Sequence, residues 1–188
     1  MTSYTLDLTP IISLSHEQFY QLCRANRDLK LERTPTGQLI VMSPVGGKSG
    51  NLEAELNGAV WSWNQFSGLG VVFSSSTVFN LPNGGDRSPD VAWVALERWQ
   101  ALTPEEQEQF PPICPDFVIE LRSRTDKLPP LQAKMQEYLT SGLRLGWLIN
   151  PHDQQVEIYR PGQEVEVQGF PVRLSGEDVL PGFVLELP

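Results

Sequence analysis

Residues 115–139 read PDFVIELRSRTDKLPPLQAKMQEYL, and the charged side chains near the start of that stretch decide how the chain is read. Strand alternation sets Val118, Glu120 and Arg122 on one face and Phe117, Ile119 and Leu121 on the other. A carboxylate inside so apolar a strand needs a partner or a job, because an unpaired buried charge is costly. After a loop through Pro129 and Pro130, the spacing predicts a helix over 130–141, stopped by Gly142. Leu131, Met135, Tyr138 and Leu139 form its buried stripe, and Lys134 falls on the edge of that stripe between Leu131 and Tyr138. A lysine there lays its stem along the sheet and brings its ammonium to the strand carboxylates.

Working outward, Asp90 follows Pro89 and opens a second apolar strand, DVAWVAL. Two carboxylates on neighbouring strands suit a hard divalent cation such as Mg²⁺ or Mn²⁺, and the carbonyl of Leu121 adds a third oxygen without any sequence signature. Arg122 stays protonated, so it suits clamping a phosphate and not removing a proton. Each assignment has a plainer competitor. Asp90 bonds its own turn, Glu120 forms a salt bridge with Arg122 or Lys134, and Lys134 is a solvated helix lysine.

The remaining chain supplies short elements separated by turns. Ser15 and Gln18 make a capping-box pattern ahead of Phe19, Leu22 and Cys23 on one helical face. LKLERTPTGQLIVM reads as a hairpin around Pro35 and Gly37. Leu52, Leu56, Ala59, Val60 and Trp63 recur at helical spacing over 48–66, ended by Gly68 and Gly70. GVVFSSSTVFNLPNGGDRSPDVAWVAL reads as three strands with a Pro-Asn-Gly-Gly turn before the last. Thr103, Pro104 and Glu106 mark a short capped helix. RLGWLINPHDQQVEIYRPG is a second hairpin, and the tail holds one or two further strands. Strands and helices intermix without a repeat or a splitting linker, so one α/β domain over 1–188 with a mixed sheet is expected. Trp61 and Trp63 read as core and interface aromatics.

Composition bounds the function. The formal charge is −9, which argues against simple electrostatic DNA binding, where Lys and Arg displace counterions. Residues 115–160 carry six basic and six acidic side chains, so even this half is neutral. No apolar run reaches membrane-spanning length and the start of the chain lacks a signal-peptide pattern, so a cytoplasmic protein is expected. Cys23 and Cys114 are isolated and read as small apolar residues. His16 and His152 sit in unrelated contexts, which argues against histidine catalysis.

SPDVAWV, PDFVIELRS, LQAKMQEYLTSGLRLGWLINP, VEIYR and VLPGF together resemble a large bacterial family of restriction-endonuclease-like proteins. That family is similar to the PD-(D/E)XK nuclease superfamily, and the resemblance covers nearly the whole chain. It implies an α/β restriction-endonuclease-like mixed β-sheet flanked by helices, here with extra N- and C-terminal hairpins. Pro89-Asp90 and Glu120 match the first two parts of the superfamily pattern, whereas Arg122 stands at the position of its lysine. Lys134 looks like that lysine displaced onto the following helix, with Tyr138 as the tyrosine of the related Gln-xxx-Tyr motif. The resemblance also implies lower-ranked acids: Glu55 on the 48–66 helix and Glu32 on the first hairpin.

The expectation is a Mg²⁺- or Mn²⁺-dependent endonuclease hydrolysing DNA phosphodiester bonds, acting as a homodimer. Asp90, Glu120 and Leu121 would hold the metal, Lys134 would act at the attacking water, and Arg122 would bind a substrate phosphate. The competing expectation is a catalytically inactive nuclease-like scaffold serving as a dimeric binding or regulatory module. A carboxylate-pair glycosidase using Asp90 and Glu120 would also need a cleft lined by exposed aromatics.

Overall fold

The computed structural model describes residues 3–188. The chain opens with β1 (Ser3–Leu6), α1 (His16–Ala25), β2 (Lys30–Arg33), β3 (Leu39–Met42) and the long α2 (Gly47–Ser67). There follow β4 (Gly70–Ser74), β5 (Phe79–Asn80), β6 (Asp86–Arg87), β7 (Val91–Ala95), α3 (Leu96–Gln100) and α4 (Pro104–Glu108). The last part holds β8 (Phe117–Leu121), α5 (Leu128–Thr140), β9 (Leu145–Asn150), β10 (Gln155–Tyr159), β11 (Glu166–Gly169), β12 (Val172–Ser175) and β13 (Val184–Leu187).

The main sheet runs β11-β10-β9-β8-β7-β4. It is mixed: β8 and β9 pair in parallel, and the other pairs are antiparallel. A parallel pair needs a crossover, and α5 is that crossover. Every residue of β8 and β9 is buried, as expected of central strands covered on both faces. On one face, Leu56 and Val60 of α2 and the β12–β13 hairpin pack against Val91, Trp93, Phe117, Ile119 and Trp147. Trp147 stacks on Phe183 at 5.9 Å and meets Phe117 edge-on at 4.9 Å. On the other, Met135 and Tyr138 of α5 cover Ala92, Val94, Val118 and Leu148. The face assignment read from FVIEL is therefore the observed one as far as Leu121.

A second sheet, ordered β1-β3-β2-β6-β5, carries α1 through Phe19, which packs with Leu31, Leu39 and Val78. Asp86, fully buried, ties helix to sheet: it accepts from Arg33 Nε at 2.7 Å and Asn80 Nδ2 at 3.0 Å, and meets His16 Nδ1 at 2.7 Å. Only three residues separate β6 from β7, so this sheet is delivered directly to the end of the main one.

The capping boxes at Ser15 and Thr103 form as read, and Gly68 ends α2 in a left-handed conformation. The differences lie in short elements. The 70–95 region holds four strands and not three, with the Pro-Asn-Gly-Gly turn between β5 and β6, because β5 and β6 are only two residues long. The tail forms three strands. β1 and α3 were not anticipated.

One close approach fixes α2 against the sheet. Asn64 is buried, accepts from Trp93 Nε1 and Gly70 N, and donates to Gly70 O. A Cβ on Gly70 would lie 2.3 Å from the Trp93 ring and 2.3 Å from the Val94 carbonyl. Gly70→Ala is therefore expected to lower unfolding free energy by about 1–3 kcal/mol in urea titrations, as for other overpacked sites.

Candidate active site

The ladder between β7 and β8 ends with Val91 opposite Ile119. One step further along that register sets Asp90 against Glu120. Like charges directly opposite on an antiparallel pair repel, so the fork between the strands concentrates negative charge. Asp90 Oδ2 accepts from the Leu121 N–H at 2.8 Å, taking over where the ladder stops. Asp90 thus bonds the neighbouring strand and not its own turn.

Lys134 answers this charge. Burial along α5 carries it into the interior at 8% exposure, deeper than the stripe-edge position anticipated. Its ammonium lies 2.7 Å from Glu120 Oε1, 2.8 Å from Glu32 Oε1 and 3.3 Å from the Ser88 carbonyl. Three donors meet three acceptors, which is the full capacity of an ammonium. Tyr138, one turn on, donates to the same Glu120 oxygen at 3.0 Å and places its ring 5.8 Å from the ammonium. Both bonds fall on Oε1, so Glu120 Oε2 takes part in neither.

Glu32 is buried and far from solvated. Besides Lys134, it accepts from Ser88 N at 2.9 Å and Arg87 Nη1 at 3.0 Å. Arg87 in turn pairs with Glu137 of α5. Glu32 therefore links the second sheet, the strand leading to Asp90 and α5.

The electrostatics separate the three acids. Burial raises the Glu32 carboxyl, but the charges of Lys134 and Arg87 outweigh it and bring the value down to about 2. Burial also raises Glu120, where the opposing pull of Lys134 is offset by the charges of Asp90 and Glu32, leaving it near neutrality at about 7. Asp90 is raised by burial in spite of Lys30 and Lys134. For Lys134, burial disfavours the charge, yet Glu120 and Glu32 raise its value overall. Burial thus holds Asp90 and Glu120, two hard oxygen donors, above the usual carboxylate range in spite of the lysines beside them.

These groups line a cavity of about 320 Å³. Glu32, Asp90, Glu120, Leu121 and Lys134 are all at its wall, and so is Glu53 of α2. Glu55, the acid anticipated from that helix, is not: it is exposed and accepts from Asn51 at 2.6 Å. Glu53, two residues earlier, is the acid of α2 that lines the cavity. Arg122 is also outside. β8 ends at Leu121, so alternation no longer aims Arg122, which bonds Asp153 Oδ2 at 2.7 Å and Asn150 Oδ1 at 3.2 Å. Arg122 therefore does not face the cavity as alternation had suggested. Lys30, unremarkable in the sequence, brings its ammonium within 4.0 Å of Asp90 Oδ1. Its signal was positional, two residues before Glu32 on the same strand face.

Among the described residues, no three His, Cys, Asp or Glu side chains form a metal cage. Mg²⁺ is commonly held by one or two carboxylates, with waters and substrate oxygens completing the shell. Asp90 and Glu120, both hard oxygen donors, fit that demand. No helix among the described residues is long and apolar enough to cross a membrane.

A family model described as "Uma2: Putative restriction endonuclease" matches residues 16–188. A crystal structure described as a "putative nuclease belonging to DUF820", from Anabaena variabilis ATCC 29413, superposes with a TM-score of 0.71 and 24% sequence identity. The match covers 84% of this chain and 86% of that one, and it establishes a shared fold. No curated protein matches. This chain belongs to the Uma2 family.

The lowered Glu32 carboxyl stabilises the fold at pH values above the unfolded carboxylate range, and that contribution is lost as pH falls from about 5 toward 2. Glu32→Gln should cost about 3–5 kcal/mol near neutral pH by leaving Lys134 and Arg87 undercompensated. The loss should shrink on acidification, as read by urea unfolding at pH 7 and pH 3.

Proposed function

We propose that this Uma2-family chain is a metal-dependent endonuclease that hydrolyses DNA phosphodiester bonds at the Asp90–Glu120–Lys134 cluster. The observation that supports it most is the buried carboxylate pair at the β7–β8 fork, walled by a buried, fully bonded lysine. The family's description as restriction-endonuclease-like supports the same reaction class.

Asp90, Glu120 and the Leu121 carbonyl would hold Mg²⁺ or Mn²⁺, which when bound supplies Lewis acidity and an acidified water. Lys134 keeps a fixed positive charge at the cavity wall, where negative charge develops on a phosphoryl oxygen. It remains protonated, so it orients and neutralises and does not abstract a proton. Glu32 and Tyr138 act through Lys134 and Glu120 and are positioning residues. A homodimer would let two such sites address both strands.

The alternative, an inactive scaffold, draws on one observation: the Lys134 ammonium already sits on Glu120. Nicking of supercoiled plasmid in Mg²⁺ and Mn²⁺ separates the two. Wild-type protein should nick, and Asp90→Asn, which retains an acceptor for the Leu121 N–H, should lower the rate by about 10² or more. Equal nicking by the variant, or none by the wild type, would favour the scaffold.

Metal binding has an independent readout. Because a cation would relieve the Asp90–Glu120 repulsion in the folded state only, Mg²⁺ at a hundred times its dissociation constant should stabilise the protein by about 2.7 kcal/mol. The rise in Tm should vanish in Asp90→Asn.

A further inference from the structure

A second cavity, of about 620 Å³, lies between α1, β2 and the segment after α4. It adjoins the first, for Ser88 lines both. Three cations line it: Arg24, Arg27 and Lys30, against the acids Asp28 and Glu108. The active-site cavity has the opposite balance, with Glu32, Glu53, Asp90, Glu120 and Asp126 against Arg87 and Lys134. A polyanion brought to the carboxylates therefore meets net repulsion there and net attraction next door.

Two of the three cations of the second cavity are not spent on internal structure. Arg24 and Arg27 are exposed and make no ion pair among the described residues, although Arg24 lies 5.9 Å over the Tyr20 ring. The Lys30 ammonium is shielded from solvent, yet has no hydrogen-bond partner among the described residues, where its nearest carboxylate oxygen is Asp90 Oδ1 at 4.0 Å. A buried donor left unsatisfied is costly. A turn of the Lys30 side chain toward the cavity would let an anion satisfy it.

We propose that the Arg24–Arg27–Lys30 cavity is a phosphate-docking site for the nucleic-acid backbone, holding the strand beside the phosphodiester presented to Asp90 and Glu120. The inference rests on the nuclease reading and supplies what the acidic chain lacks, a local cationic surface at the site. Lys30 is the hinge between the two cavities: it lines the docking cavity and reaches the metal-binding aspartate.

The test is binding of a fluorescein-labelled DNA oligonucleotide, followed by anisotropy across a salt titration in Ca²⁺, alongside plasmid nicking in Mg²⁺. Arg24→Ala/Arg27→Ala should weaken binding about tenfold or more and lower the salt slope by about 2, one for each phosphate no longer neutralised. Both residues are exposed, so folding should survive; an unchanged Tm checks this, and Lys30→Met provides a second variant with the same expected loss. Unchanged affinity and slope in a wild type that nicks would overturn the docking site and leave the nuclease reading standing. A wild type that binds without nicking, with binding abolished in the variants, would support the docking site while the nuclease reading falls. A wild type that neither binds nor nicks DNA would overturn both.

Discussion

The opposition of Asp90 and Glu120 across the β7–β8 fork is the constraint around which the rest is arranged. Two acids facing each other at a strand end, in an interior that resists charge, are unstable without nearby cations. The fold answers with Lys134, placed by a crossover helix that the parallel β8–β9 pair requires in any case. Glu32 then has to balance Lys134, and Arg87 has to balance Glu32. A chain of alternating charges thus runs from the main sheet through α5 into the second sheet, each member explained by the one before it.

This arrangement would reconcile a strongly acidic chain with the proposed chemistry on a polyanion. Overall charge sets long-range steering, whereas the local field at a site depends on the few charges that line it. Here the cations are segregated: Lys134 and Arg87 are tied into buried ion pairs, and Arg24 and Arg27 stand exposed at the adjoining cavity. On the proposed docking, net charge alone would understate the pull of positive groups that are few but gathered.

Much of the fold was legible because long apolar segments obey simple periods. FVIEL, LGWLIN and the stripe of α5 announced the central strands and their covering helix, and cap residues marked two helix starts. Two-residue strands such as β5 and β6 have no period to read. The site was legible where a charge interrupted an apolar pattern, as at Glu120 and Lys134. It was misread where a side chain was assigned by extrapolating a period past the end of its element. Arg122 lies one residue beyond β8, and the acid anticipated from α2, Glu55, is exposed, whereas Glu53 lines the cavity. Lys30 and Glu53 depend on the meeting of elements far apart in sequence, which no local pattern records.

The bonding at the fork distributes tolerance to change unevenly. Loss of Lys134 would strand Glu32 and Glu120 in the interior, so selection for folding alone would retain the lysine after any chemistry had lapsed. Asp90 is different, because its structural bond, to the Leu121 N–H, needs only an oxygen that asparagine also carries. Among relatives with this geometry, a lysine on the helix would testify to an intact interior. If Asp90 serves the proposed reaction, the residue at the strand entrance, acid or amide, would separate lineages still under pressure to cut from those released from it.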